Sequence, residues 1–315
     1  MRRLCSVSVD LDPLWCYYRI HGLGEPPTVL RDVVLRRGLS RFLDVFARRG
    51  IAATFFVVGR DLDGDQASQA RLSAAARAGH ELGNHSYSHD YALARLSRPE
   101  IDSEVRRGHD LIAAAAGTPP VGFRSPGYDM SGILHDVLCE HGYRYDSSLF
   151  PSWPYYLAKA AVMGGMALVG RRSQSVMVDP RSLFAPPEPF RPGRSPFSRG
   201  QSTLVELPIT TSPGLRLPTI GTYLVASPTW VRSRLLESVR SRAFFNLELH
   251  GIDLIGADED GIPSSLVARQ QDLRVSLDHK LRAFEATLDR LAQDYQFATL
   301  RDVASEFQRE GRLSA

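Results

Sequence analysis

Lysine is almost missing from this 315-residue sequence. It occurs only at Lys159 and Lys280, so the 38 basic side chains are nearly all arginine. With 35 acidic side chains interspersed the net charge is +3, and no run concentrates positive charge, which argues against a nucleic-acid partner. Cysteine is scarce too. Cys5, Cys16 and Cys139 are scattered and odd in number, giving neither a disulfide framework nor a cysteine-type zinc site. The apolar stretch 158–170 (AKAAVMGGMALVG) is shorter than the ~20 residues a membrane-spanning helix needs. It can be a buried helix, a lip over a cleft or an interfacial segment, and burial is the simplest of the three. The first residues run straight into a strand pattern with no long apolar region or cleavage site, so a cytoplasmic protein is expected.

What is present is an ordinary globular composition, long enough for one large α/β domain or two smaller ones. Residues 5–9 form a β-rich run that stops at Asp10-Leu11-Asp12-Pro13. Residues 52–58 (AATFFVV) are continuously apolar, as in a strand buried on both faces of a parallel sheet. Helical periodicity covers 38–49 and 66–78, and Ser97-Arg98-Pro99-Glu100 matches a capping box opening a helix to about 116. Further strands are predicted at 81–84, 121–124, 143–145, 204–209, 243–249 and 296–299. Helices are predicted at 133–140, 227–241, 265–294 and 301–308. The βα unit thus recurs about seven times without a break in composition. That favours a single barrel-like domain over 1–315, interrupted by a Pro-, Arg- and Ser-rich excursion over about 150–203. In such a barrel chemistry gathers at the C-terminal ends of the strands, where the polar motifs of this chain fall.

Asp10 and Asp12 end the first strand and lie on one side of it by alternation. Alone they read as solvated acids. His85 and His89, four residues apart and flanked by Gly83, Asn84, Ser86 and Ser88, can reach one point from one side, as a divalent metal requires. With a carboxylate from the first strand they would make three ligands, leaving the second aspartate to accept a proton from water. Arg124 precedes a Pro126-Gly127 turn, an arrangement that can set a guanidinium against a carboxylate and expose N–H groups to an oxyanion. His250 ends another strand and is a candidate general acid. Each has a bland reading, as a surface pair, a turn arginine or a core histidine; their recurrence at strand ends argues for function.

Residues 79–89 (GHELGNHSYSH) closely resemble the second signature of the polysaccharide deacetylases, carbohydrate esterase family 4, also known as the NodB-homology domain. Asp10-Leu11-Asp12 resembles the Asp-x-Asp form of the first signature found in a cytoplasmic-type branch. Arg124–Tyr128 is similar to the third signature, Tyr145-Asp146-Ser147-Ser148 to the fourth and Leu249-His250 to the fifth. The order is the family's, and similar segments run from near residue 4 to about residue 300. The resemblance implies a distorted (β/α)7 barrel and metal-dependent removal of an N-acyl (acetyl) group from an amino sugar or glycan by water on the metal. It further implies Asp12, His85 and His89 as metal ligands and Asp10 as general base held ionised by Arg124. His250 would be the general acid, tuned by Asp146, and a backbone N–H near Gly127 or Tyr128 would bind the oxyanion. Zinc is the expected metal, with cobalt, nickel or manganese able to replace it.

A related activity on the same barrel is the alternative: deformylation or deacetylation of a lipid-linked amino sugar, or hydrolysis of a cyclic imide or ureide. The 158–170 stretch points to such a lipid-linked substrate and to peripheral membrane contact. An iron oxygenase also uses two histidines and a carboxylate, but on a β-rich fold rather than βα repeats. A barrel that only binds glycans ranks last, because every catalytic position is filled.

Overall fold

The computed structural model describes residues 3–168 and 175–310. Eight strands form one sheet: β1 (Arg3–Asp10), β2 (Thr54–Val57), β3 (Glu81–Asn84), β4 (Gly122–Phe123), β5 (Tyr145–Asp146), β6 (Val205–Glu206), β7 (Phe244–His250) and β8 (Tyr295–Phe297). Their order is β6-β5-β4-β3-β2-β1-β7, with β8 also on β1, and every pairing is parallel. β1 is the hub. β7 lines its whole length from Leu4 to Asp10, while on the other side β8 takes Arg3–Cys5 and β2 takes Ser8–Asp10. The sheet curls until the segment after β6 meets β7. There the Thr210 N–H donates to the Asn246 carbonyl at 3.4 Å and the Asn246 N–H to Thr210 Oγ1 at 2.8 Å. The result is a distorted (β/α)7 barrel, the form the family resemblance implied and a case of the barrel-like domain the βα rhythm favoured.

The alternation of β1 and β7 explains where the polar groups lie. Val7, Val9, Leu247 and Leu249 belong to the main apolar cluster beneath the helices. Their neighbours Ser8, Asp10, Asn246 and Glu248 are also buried, and Ser8 Oγ donates to Asn246 Oδ1 at 3.1 Å. The apolar layer outside is aromatic: Phe42 packs on Phe46 and both meet Phe284. Each such buried ring contributes roughly 1.5–3 kcal/mol.

Several predicted elements change in extent. Residues 204–209 supply only Val205–Glu206 to the ladder, Pro208 having no N–H to give. The helix expected over 265–294 is broken. A short turn of helix at Ser264–Val267 and a 3₁₀ turn at Gln271–Arg274 precede the helix Leu277–Ala292, which Ser276 caps through the His279 N–H. The excursion is not without structure: it contains the helix Trp153–Leu168. After it, Phe190, Phe197 and Leu204 pack into an apolar cluster with Leu134 and Leu138 of the helix Gly132–Glu140. The stretch 158–170 was most simply read as buried. Val162 and Leu168 are instead 64% and 90% exposed, and residues 169 and 170 lie outside the described residues. Among the described residues no helix is long and apolar enough to cross a membrane.

Candidate metal and catalytic site

β3 ends at Asn84, and the chain then turns back sharply rather than continuing as a helix. Ser86 (φ 62°) and His89 (φ 52°) both take left-handed conformations, a cost of roughly 1–3 kcal/mol each for such residues. Neighbouring backbone holds them there. The Ser86 carbonyl accepts from the Gly59 N–H at 3.0 Å, the Tyr87 carbonyl from the Arg60 N–H at 2.9 Å, and Ser86 Oγ from the His89 N–H at 3.1 Å. Gly108 lets the helix Arg98–Ala116 approach, since a Cβ there would fall 2.4 Å from Asn84 Oδ1.

The turn brings both imidazoles to Asp12. His85 Nε2 lies 3.2 Å and His89 Nε2 3.1 Å from Asp12 Oδ1, and all three residues are buried. His85 Nδ1 is 2.7 Å from the Arg124 carbonyl, which can only accept, so the proton sits on Nδ1 and the Nε2 lone pair faces Asp12. His89 Nδ1 contacts Cys16 Sγ at 3.4 Å, a partner the sequence did not point to. Asp12 Oδ1 and His89 Nε2 are buried and have no hydrogen-bond partner among the described residues. Facing lone pairs in a dry site are costly unless a cation or proton lies between them. Burial alone would raise the Asp12 carboxyl, but positive charge on His89 and His85 would hold it well below the usual carboxylate range, the part a cation between them would take. This donor set fits a divalent metal.

A second group of ligand-type atoms, from Asp10, Glu248 and His250, also converges. Arg124 makes it a poor cation site. Its guanidinium, fully buried, gives Nη1 to Asp10 Oδ1 at 2.6 Å, Nη2 to Ser8 Oγ at 2.9 Å and to Ser147 Oγ at 2.8 Å, and Nε to the Ser147 carbonyl at 2.9 Å. It also stacks on Phe56, 4.2 Å from the ring centroid. Burial works against this charge, yet Asp10 and then Glu248 raise Arg124 above its ordinary value. Asp10 keeps its other oxygen toward the triad, Oδ2 lying 3.9 Å from His85 Nε2.

The β1–β7 register sets His250 directly beside Asp10 and Glu248 beside Ser8. His250 Nε2 lies 4.0 Å from Asp12 Oδ2, and Nδ1 lies 3.0 Å from Glu248 Oε1. Burial lifts the Glu248 carboxyl to about 7. For His250 burial opposes the charge, but Glu248 foremost brings it up to about 9. Asp253 accepts the His250 N–H at 2.9 Å and so fixes the end of the strand.

Two expected site residues have other partners in the structure. The carboxylate against His250 is Glu248, not Asp146. Asp146 accepts from Ser148 Oγ at 2.7 Å and the Ser148 N–H at 3.1 Å, and shares a hydrogen bond with Glu206. Ser148 Oγ in turn accepts the Ser125 N–H at 2.8 Å, so Asp146 braces the turn after Arg124. At that turn Gly127 (φ 70°) and Tyr128 (φ 66°) are both left-handed, and the Tyr128 N–H is committed to the Ser125 carbonyl at 3.2 Å. What Tyr128 offers the site is its phenol, which lies 3.2 Å from both Glu248 Oε1 and His250 Nε2. Glu248 had a signal in the sequence. In Phe244-Phe245-Asn246-Leu247-Glu248-Leu249-His250 the polar residues recur at every second position, marking the inward face of the strand.

The sequence profile of the polysaccharide deacetylase family matches residues 32–145. That span takes in His85, His89, Arg124, Gly127 and Tyr128 and omits Asp10, Asp12 and His250, which the barrel brings alongside. A peptidoglycan deacetylase of Helicobacter pylori is 30% identical over 159 residues, 49% of this chain and 53% of that protein. A chitin deacetylase of Arthroderma benhamiae is 29% identical over 102 residues, 32% of this chain and 27% of that protein. The chain therefore matches about half the length of the first relative and less of the second. A crystal structure from Mycobacterium smegmatis, assigned to the polysaccharide deacetylases, superposes with a TM-score of 0.61 at 18% identity, covering 99% of this chain and 93% of that one. The last comparison speaks for the fold.

Proposed function

We propose that this chain is a polysaccharide deacetylase and hydrolyses the N-acetyl amide of an amino sugar within a glycan, a reading supported by the match of residues 32–145 to that family's profile and by the peptidoglycan deacetylase relative. The observation that carries this reading is the convergence of Asp12 Oδ1, His85 Nε2 and His89 Nε2, with Asp10 on one side and His250 on the other. A divalent ion held by Asp12, His85 and His89, proposed to be zinc, would supply Lewis-acid polarisation of the acetyl carbonyl and acidify water. Asp10, anchored through one oxygen by Arg124, takes a proton through the other. His250 gives a proton to the sugar nitrogen as the C–N bond breaks. Gly127 is the proposed backbone donor to the developing oxyanion, since the Tyr128 N–H already serves Ser125.

The test is acetate release from N-acetylated glucosamine oligomers and from peptidoglycan fragments, substrates suggested by the names of the two relatives. No acetate from either, with stoichiometric metal bound, overturns the reading. His85→Ala with His89→Ala should abolish metal binding by elemental analysis, and full retention would refute the ligand set.

One observation favours a lipid-linked amino sugar as the substrate. The exposed apolar helix Trp153–Leu168 rises beside the site, its Tyr155 packing on Tyr128 with ring centroids 6.2 Å apart. Flotation with liposomes should carry the wild-type protein and not a variant lacking 158–168; equal failure to float removes the membrane contact.

A further inference from the structure

On the β1–β3 side of the metal triad a cleft of about 610 Å³ opens, a size that holds a small ligand. It is made by the segments that follow these three strands. Trp15 and Arg31 come from the first, Arg60, Asp61 and Asp63 from the second, and Tyr87 from the third. We infer that this cleft is a second subsite for the same substrate, taking a phosphate or carboxylate borne by the acetylated sugar or by the unit joined to it. The inference rests on the amide-hydrolase reading above.

Two features support it. The first is positive charge that the fold leaves unmatched. Each carboxylate of the cleft already has a partner. Asp32 meets Arg36 at 3.2 Å and Arg71 at 3.6 Å, Glu25 meets Arg19 at 3.9 Å, and Asp63 accepts from Tyr87 Oη at 2.9 Å. Asp65 caps the helix Gln66–Arg77, accepting the Ala67 and Ser68 N–H groups at 3.0 and 3.1 Å. Asp61 accepts the Trp15 indole N–H at 3.4 Å, and burial pushes its carboxyl up to about 7, which takes charge off that wall. The guanidiniums are not matched in this way. Among the described arginines only Arg31, Arg60, Arg194 and Arg234 make neither an ion pair nor a side-chain hydrogen bond, and the first two share this cleft. Two planar forks with unused N–H groups suit the oxygens of a phosphate or carboxylate. The second feature is attachment to the metal site. The Arg60 N–H bond to the Tyr87 carbonyl is one of those that hold the His85–His89 turn, so the backbone of this arginine is fixed to the metal loop. Trp15 is the shared wall. Its ring stands edge-on to His89 with centroids 6.3 Å apart, and the Arg60 guanidinium lies 5.3 Å from its centroid. A substrate with its acetamido group at the triad therefore has this cleft as its neighbour.

The experiment measures, by titration calorimetry on the metal-loaded protein, the binding of N-acetylglucosamine, of its 1-phosphate and of N-acetylmuramic acid, which carries a carboxylate. One or both anionic sugars should bind ~10–100-fold more tightly than the neutral one, and the compound that gains identifies the group. Arg60→Ala and Arg31→Ala should each remove much of that gain, with far less effect on the neutral sugar and none on metal content. Arg234→Ala removes the same charge from the exposed side of the helix Thr229–Ser238 and should keep the gain. A neutral sugar bound as tightly as both anions overturns the inference. So does a gain that survives loss of both Arg31 and Arg60, or one that disappears with Arg234. Acetate release, followed on the same compounds, separates this outcome from that of the functional reading. An Arg60-dependent gain in a protein that releases no acetate strikes the amide-hydrolase reading and leaves the anion site standing. Acetate release with no anion gain strikes the subsite alone.

Discussion

One arginine inside the barrel distinguishes the two aspartates that close β1. Arg124 binds Asp10, and a metal cation placed beside that guanidinium would be repelled, whereas Asp12 Oδ1 faces His85 Nε2 and His89 Nε2. Asp10→Asn should therefore retain metal and lose ~10²–10⁴-fold in rate. Loss of the metal, measured by elemental analysis, would mean that the aspartates exchange roles. A second buried pair gives a prediction about stability. Asp146 and Glu206 share a hydrogen bond, and burial raises both, Glu206 well above its ordinary value. A carboxyl raised on folding contributes stability below its unfolded pKa and loses it as pH rises through the folded one. Glu206→Gln keeps an acceptor for the Leu149 N–H and resembles the protonated acid. It should be more stable than wild type at pH 8, by about 1 kcal/mol or ~3 °C in Tm, with the gain shrinking toward pH 4. A thermal melt series shows whether it does; a gain that grows at low pH contradicts the assignment.

At the scale of elements, what the sequence reveals depends on how local the cause is. The capping box at Ser97 and Glu100 is local, and the Glu100 carboxylate does accept the Ser97 N–H at 2.9 Å. The strand ends carrying Asp10, Asp12, His85, His89, Arg124 and His250 could be read because polar residues interrupt apolar runs there, and the fold brings all six together. Asp146 could not be placed in the same way. It too ends a strand, but whether it reaches His250 depends on the curl of the sheet, which leaves no trace in a single motif. Glu248 won by lying on the same strand as its partner. The excursion misled about exposure: the apolar residues of the helix Trp153–Leu168 are not confined to one face, so no amphipathic period marks which side meets solvent. The helix over 265–294 fails at Gln270 to Ser276, where capping chemistry outweighs the apolar spacing.

For the molecule as a whole, the hub position of β1 has a consequence for how the chain acquires its shape. β1 is made first, yet its long partner β7 begins 234 residues beyond its own last residue, and β8 comes later still. Throughout synthesis it is an apolar strand with one edge unpaired, the kind of edge that recruits other chains. Pairing this distant in sequence is slow to form. A fragment ending at residue 150 contains His85, His89, Arg124 and both aspartates but cannot cover β1. It should be insoluble or remain bound to chaperones, which solubility after expression would show, and a soluble, cooperatively melting fragment would contradict it. The proposed metal ligands all belong to the first third of the chain. Their burial must wait for the last.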